Sequence, residues 1–179
     1  MNKKFAQMIL LVILVTLLPA CKTEAVEMPN IVFLYYDRQE VWKETGTESI
    51  GYTYSIYFCD KYGNIYSTQD EKYTNWDVLQ RDYDLIAEDE TCEIRKRLDS
   101  DEVRSQYKIL QDIANGEQNT VQRRESNLDA FQGSKQWQGC CYDKEGNLIV
   151  VELYETGDYI SDNEDTRAYD LAMWMWKVM

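Results

Sequence analysis

The sequence contains no histidine. That excludes Ser-His-Asp and Cys-His catalysis, and every metal site that needs an imidazole ligand. Proline is nearly as scarce. Pro19 and Pro29 are the only two and lie near the N-terminus, so no proline-rich linker divides the rest of the chain. None of the eight glycines belongs to a phosphate-cradling loop. Basic residues are in the minority, 19 against 32 acids, and no basic patch is interleaved with aromatics. A surface of that sign repels nucleic acid and anionic lipid, so no nucleic-acid partner is expected.

There is no C-x-x-C either. Beyond Cys21 the cysteines are Cys59, Cys92, Cys140 and Cys141. Four cysteines allow three full disulfide connectivities, and sequence does not choose among them. Their spacing lacks the paired knuckles of zinc sites, and the neighbours Cys140 and Cys141 project to opposite faces of any strand. They are read as free or partly paired structural residues. No catalytic residue, cofactor site or metal site is assigned.

What is present begins with a greasy leader. Lys3 and Lys4 precede an apolar stretch, Met8 to Leu18, interrupted only by Thr16. It has the length of a signal-peptide core and is too short to span a bilayer, which takes roughly 20 residues. Leu18-Pro19-Ala20-Cys21 follows. Leu18, Ala20 and Cys21 match the lipobox, and this end of the chain resembles a bacterial lipoprotein. The resemblance implies a signal peptide over residues 1–20, acyl chains such as palmitate on Cys21, and a membrane-anchored, extracytoplasmic protein; it does not choose between inner and outer membrane. It covers only those first residues. Residues 21–30 then read as a tether and 31–179 as a single domain. Losing Lys3 and Lys4 with the leader leaves 17 bases against 32 acids, a balance of −15.

In the domain, Ile31 to Tyr36 is an apolar and aromatic run, read as a buried strand. Tyr52, Tyr54, Ile56 and Phe58 alternate at the period of a strand. Asp60-Lys61-Tyr62-Gly63-Asn64 closes a hairpin with Ile65 to Thr68, with Gly63 as the left-handed residue. Asp143-Lys144-Glu145-Gly146-Asn147 repeats the signal between Trp137–Tyr142 and Leu148–Tyr154. Pairing Asp143 with Asn147 sets Cys141 opposite Ile149 and Gly139 opposite Val151. Trp137, Cys141, Ile149, Val151 and Leu153 then share an uncharged face, expected to be the core face.

Three helices carry start signals. Thr74 with Asp77 precedes the stripe Trp76, Leu79, Tyr83, Ile86. Asp99 with Glu102 caps the stripe Val103, Tyr107, Leu110, Ile113, Ala114, with Leu98 stapled to Val103 and Gly116 as the terminal glycine. Ser161 with Glu164 opens the last helix, whose stripe is Ala168, Leu171, Ala172, Met175, Trp176 and Met179. Met173, Trp174 and Val178 widen that stripe and predict cover on more than one side. Residues Glu117 to Lys135 read as a long loop or a short weak helix, and a polar stretch surrounds Thr45 to Thr47. The fold class expected is α+β: a small antiparallel sheet built from two hairpins, with about three helices packed on one face.

Acid clusters at Asp82/Asp84, Glu88 to Glu90 and Asp158 to Asp165 lack the internal glycine of a calcium loop, and helix capping accounts for Asp162 to Asp165. With 14 Tyr and 5 Trp, polar-tipped aromatics are abundant. Half of any strand faces away from its core, so Tyr52, Tyr54, Tyr57 and Tyr66, with Trp174, form the candidate binding surface. The leading expectation is a non-enzymatic binding or assembly module with a protein or glycan partner. The alternatives are a carboxylate-dependent hydrolase of envelope sugars or peptides, and a small ligand carrier. Two converging acids of raised pKa in a deep pocket favour the hydrolase; an enclosed apolar cavity favours the carrier. Replacing Cys21 by serine is expected to move the protein from the membrane to the soluble fraction on cell fractionation.

Overall fold

The computed structural model describes residues 27–42, 49–116, 121–125, 133–157 and 159–179. The leader, Cys21 and the polar stretch at Thr45 to Thr47 lie outside these residues.

Strand β1 spans Ile31–Trp42 and pairs on one side with β2, Ser49–Asp60. The β2 strand turns into β3, Asn64–Thr68, and β3 pairs with β4, Glu93–Arg97. On its other side β1 meets β6, Gly133–Tyr142, which pairs with β7, Leu148–Gly157. Next come β8, Tyr159–Asn163, and at the far edge β5, Val121–Glu125. All pairs are antiparallel, in one eight-stranded sheet of order β4-β3-β2-β1-β6-β7-β8-β5.

This corrects the expected small sheet of two hairpins. Both hairpins exist, but β1 joins them into one sheet, and β4, β5 and β8 extend it. Edge strands β4 (Glu-Ile-Arg-Lys-Arg) and β5 (Val-Gln-Arg-Arg-Glu) are rich in charge, as exposed edges that resist further pairing are. Charge hides the period-2 signal, so β5 falls where a loop or weak helix was expected, and β6 begins at Gly133.

Helices cover both faces, not one. Helices α3, Ser100–Ala114, and α4, Thr166–Val178, bury Val103, Tyr107, Leu110, Ile113, Ala168, Leu171, Ala172 and Met175 against Phe33, Cys59, Ile65, Trp137, Cys141, Val151 and Leu153. The hairpin register is the expected one, Cys141 opposite Ile149 and Gly139 opposite Val151, with Ile149 packed on the same core. On the opposite face a 3₁₀ turn, Glu71–Thr74, and two short helices, α1 (Trp76–Arg81) and α2 (Tyr83–Ile86), bury Tyr73, Leu79 and Ile86 against Ile31, Leu34, Ile56, Phe58 and Tyr66. A strand between two covered faces must be apolar throughout, and Ile31 to Tyr35 is.

Helix boundaries differ from the capping expectations in three places. Asn75, not Thr74, caps α1, and the stripe from Trp76 to Ile86 breaks into two helices at Asp82. Asp99 does cap α3, but Glu102 accepts a hydrogen bond from Trp174 Nε1 at 2.9 Å, and Gly116 follows the C-cap Asn115 as expected but without a positive φ. Tyr159–Asn163 is strand, so α4 starts four residues later than a cap at Ser161 suggested, capped instead by Asp165. Residues 27–30, expected to belong to a tether, dock on the domain: Pro29 is buried and Tyr107 donates to the Glu27 carbonyl at 3.0 Å.

The two like-sequenced turns form alike. Asp60 Oδ1 accepts from the Tyr62 and Asn64 amides, and Asp143 Oδ1 from the Glu145 and Asn147 amides; Gly63 and Gly146 have φ of 89° and 83°. They differ in surroundings. Asp60 is fully buried and also accepts from the Tyr66 and Tyr83 hydroxyls, at 3.3 and 3.1 Å, tying the turn to β3 and α2. A Cβ on Gly63 would lie 2.6 Å from the Leu98 carbonyl oxygen, whereas nothing stands within 4 Å at Gly146. In urea denaturation Gly146→Ala is expected to cost about 1 kcal/mol, the left-handed penalty alone. Gly63→Ala is expected to cost more than about 2 kcal/mol, because overpacking adds to it.

Candidate functional site

The long helices lie mainly across β1, β6, β7 and β8, leaving part of the sheet open beside β2, β3 and β4. There the described residues form a cleft of about 590 Å³. Ser55 and Tyr57 of β2, Ser67 of β3, and Glu93 and Arg95 of β4 line it, with Gln69, Asp70 and Thr91 from the loops. Arg95 Nε donates to Ser67 Oγ at 2.7 Å, which holds the guanidinium along the wall. The lining is mostly hydroxyls, amide and charge of both signs.

Ser55 and Tyr57 are also the wall of a second cleft, about 270 Å³, completed by Tyr35, Asp37, Trp176 and Met179. Its floor is stacked aromatics. Tyr35 lies between Tyr57 and Trp137, with ring centroids 5.9 and 4.9 Å away, and Trp176 meets Tyr35 edge-on at 5.6 Å. Trp176 is half exposed where α4 ends, while Tyr35 is buried. Burial, then the charge of Asp37, pushes the Tyr35 hydroxyl well above the usual phenol range, so it stays protonated and able to donate. Antiparallel pairing places Ser55 and Lys135 either side of Asp37. Lys135 Nζ stands 3.3 Å from Asp37 Oδ2 and 5.0 Å from the centroid of the Trp176 ring.

Of the candidate binding residues, only Tyr57 lines this double cleft. Tyr52 is exposed on the opposite face beneath the Arg38 guanidinium, 4.9 Å from its ring centre. Tyr54 packs on the core of that face. Tyr66 is buried there, stacked on Phe58. Trp174 packs edge-on to Phe33 at 5.2 Å and lines a third cleft between α3 and α4, with Gln106, Ile109 and Arg167. The five therefore occupy three separate places. Sequence reasoning passed over Tyr35, Asp37, Ser55 and Lys135 as site residues and took Trp176 for core. A usable signal was the period-2 pair Tyr35 and Asp37, a charge on the same strand face as a core aromatic.

The acids that converge do so on the other face. Glu155 is buried and accepts from Gln136 Nε2 at 2.9 Å and Ser161 Oγ at 3.4 Å. Gln136 also accepts from the Tyr36 hydroxyl, and Gln138 accepts from Trp76 Nε1 at 2.8 Å. Burial, and then the charge of Glu155, raises the pKa of Glu152. Neither glutamate lines any of the three clefts.

The four described cysteines are free. Cys59 and Cys141 lie in the helix-side core and Cys92 packs on the opposite one. Burial pushes the Cys140 and Cys141 thiols up to about 12, so both remain protonated, weakly nucleophilic groups at neutral pH. Among the described residues no three of Cys, Asp and Glu gather into a metal-binding group, and no helix is long and apolar enough to cross a membrane.

Comparison of the chain with protein-family models, with curated proteins and with solved structures finds no match.

A carboxyl whose pKa is raised on folding favours the folded state while protonated and loses that contribution as pH rises through its folded pKa. Glu152→Gln is therefore expected to raise Tm relative to the wild type at pH 7, with the gain vanishing by about pH 3, where the carboxyl is protonated in the folded and unfolded chain alike. Thermal melts at both pH values measure it.

Proposed function

We infer that the protein is a lipid-anchored, extracytoplasmic binding module without catalytic activity, and that its double cleft takes a polar polymer of the cell envelope, a glycan or a peptide. The leader and Cys21 supply the anchor. The observation that carries the binding reading is the joining, through Tyr57, of a polar cleft to an aromatic one. Hydroxyls, amide and paired charges suit a ligand rich in donors and acceptors, and exposed aromatic rings suit the apolar faces of sugars or side chains.

The position along β1 supports the same reading. The tether enters at Ile31, and Asp37 stands six residues further on, roughly 20 Å away at about 3.3 Å per residue. The cleft thus stands well along β1 from the residue at which the chain enters the sheet. The hydrolase alternative has less support. Its best acid pair, Glu152 and Glu155, lies outside the clefts, and Glu155 is already engaged by Gln136 and Ser161. The carrier alternative calls for an enclosed apolar cavity, whereas the two joined clefts are open and carry Asp37, Glu93 and Arg95.

Co-sedimentation of the purified protein with isolated cell-wall polymer tests the reading. The wild type is expected to pellet with the polymer, and Tyr57→Ala to weaken binding by about tenfold or more, as loss of a central aromatic contact does. Its melting temperature should be little changed, because Tyr57 lies at the margin of the core. Equal binding by the variant counts against the cleft.

A further inference from the structure

We propose that the aromatic cleft seats an alkylammonium group of the ligand, with Asp37 as its counter-ion and Trp176 and Tyr57 as its ring walls; this rests on the double cleft being the binding site.

Rings and a carboxylate converging on one pocket make the donor set that recognises an organic cation. The ring faces carry negative potential and the acid supplies the compensating charge. At about 270 Å³ the cleft has room for a trimethylammonium-sized group. A cation of the chain already touches two of the cleft's walls from the neighbouring strand, on the side of Asp37 away from Ser55. Lys135 Nζ lies 5.0 Å from the Trp176 ring centre and 3.3 Å from Asp37 Oδ2, the two contacts a ligand ammonium would make. Lys135 thus competes for the charge of Asp37 and the ring of Trp176. Its hold is weak, because its side chain keeps 28% of its exposure and a partly solvated ion pair adds little. Displaced, it needs only to swing into water, whereas Asp37, 15% exposed, stays in the cleft wall. A strongly acidic chain also draws cations to its surface in general. An N-methylated ammonium is expected to bind better than a primary one, since it gives up less hydration on meeting a ring.

Isothermal titration of the full-length protein in detergent with choline, n-butylammonium and 3,3-dimethylbutan-1-ol tests the proposal, the last being the uncharged carbon isostere of choline. Choline is expected to bind at least about tenfold more tightly than the isostere, with n-butylammonium between them. Lys135→Met should tighten choline binding severalfold by removing the competitor, and Asp37→Asn should weaken it about tenfold. Trp176→Leu should weaken choline more than the isostere. Equal affinity for choline and its isostere, no measurable choline binding, or indifference to Lys135→Met overturns the proposal. If Tyr57-dependent polymer binding persists while choline fails, the ammonium assignment alone is lost. If both fail, the cleft is not the binding site.

Discussion

The antiparallel pairing of β1 with β6 is the contact on which the rest of the molecule depends. It runs from Phe33 opposite Gly139 to Gln39 opposite Gly133, joining segments about a hundred residues apart in sequence. Without it the chain is two separate groups of strands, each with a long edge and half a core. With it, one strand is buried on both sides, which is why Ile31 to Tyr35 carries no charge. The same register builds the aromatic cleft. Tyr35 is set against Trp137 and Asp37 against Lys135, so the ring stack and the ion pair are consequences of strand alignment rather than of any loop.

The two faces of the sheet are closed by different means. On one, α3 and α4 supply long apolar stripes, and hydrophobic burial dominates. On the other, short helices cannot bury as much, and polar ties assist them. Asp60 collects two backbone amides, the Asn64 side chain and two tyrosine hydroxyls. Gln80 exchanges hydrogen bonds with the Ile31 backbone, at 2.7 and 3.3 Å, sealing the start of β1. A buried carboxylate is tolerable only because donors surround it, and tyrosine is the residue that brings a donor and a large apolar ring together. Part of the abundance of tyrosine therefore belongs to this second core rather than to ligand recognition.

The clefts follow from incomplete coverage. Trp176 and Met179 stand beside Tyr35 and Tyr57, so the ring stack continues from the core to the surface without a break. A surface anchored in a packed core is rigid, and rigid aromatic walls lose little entropy when a ligand arrives. Beside it, the serines and threonine of β2 and β3, with Arg95 held by Ser67, give a wall of polar groups already in place.

Local chemistry alone identified β1, both hairpins with their D-K-x-G-N turns, and the apolar stripe and Asp99 cap of α3. Each rests on residues close in sequence, where propensity, turn geometry and periodicity act directly. Strands β4, β5 and β8 were not legible: the first two are charged edges, and β8 (Tyr-Ile-Ser-Asp-Asn) imitates a helix start. The site was legible only at Tyr57. Alternation shows that Tyr57 and Tyr66 lie on strands, yet nothing local says that one stands beside the end of a helix while the other is sealed under α1 and α2. The meeting of Tyr35, Asp37, Lys135 and Trp176 was decided by tertiary structure, since it requires a long-range strand register and the endpoint of a packed helix. Both are set by burial summed over the whole sheet, which no short window of residues contains.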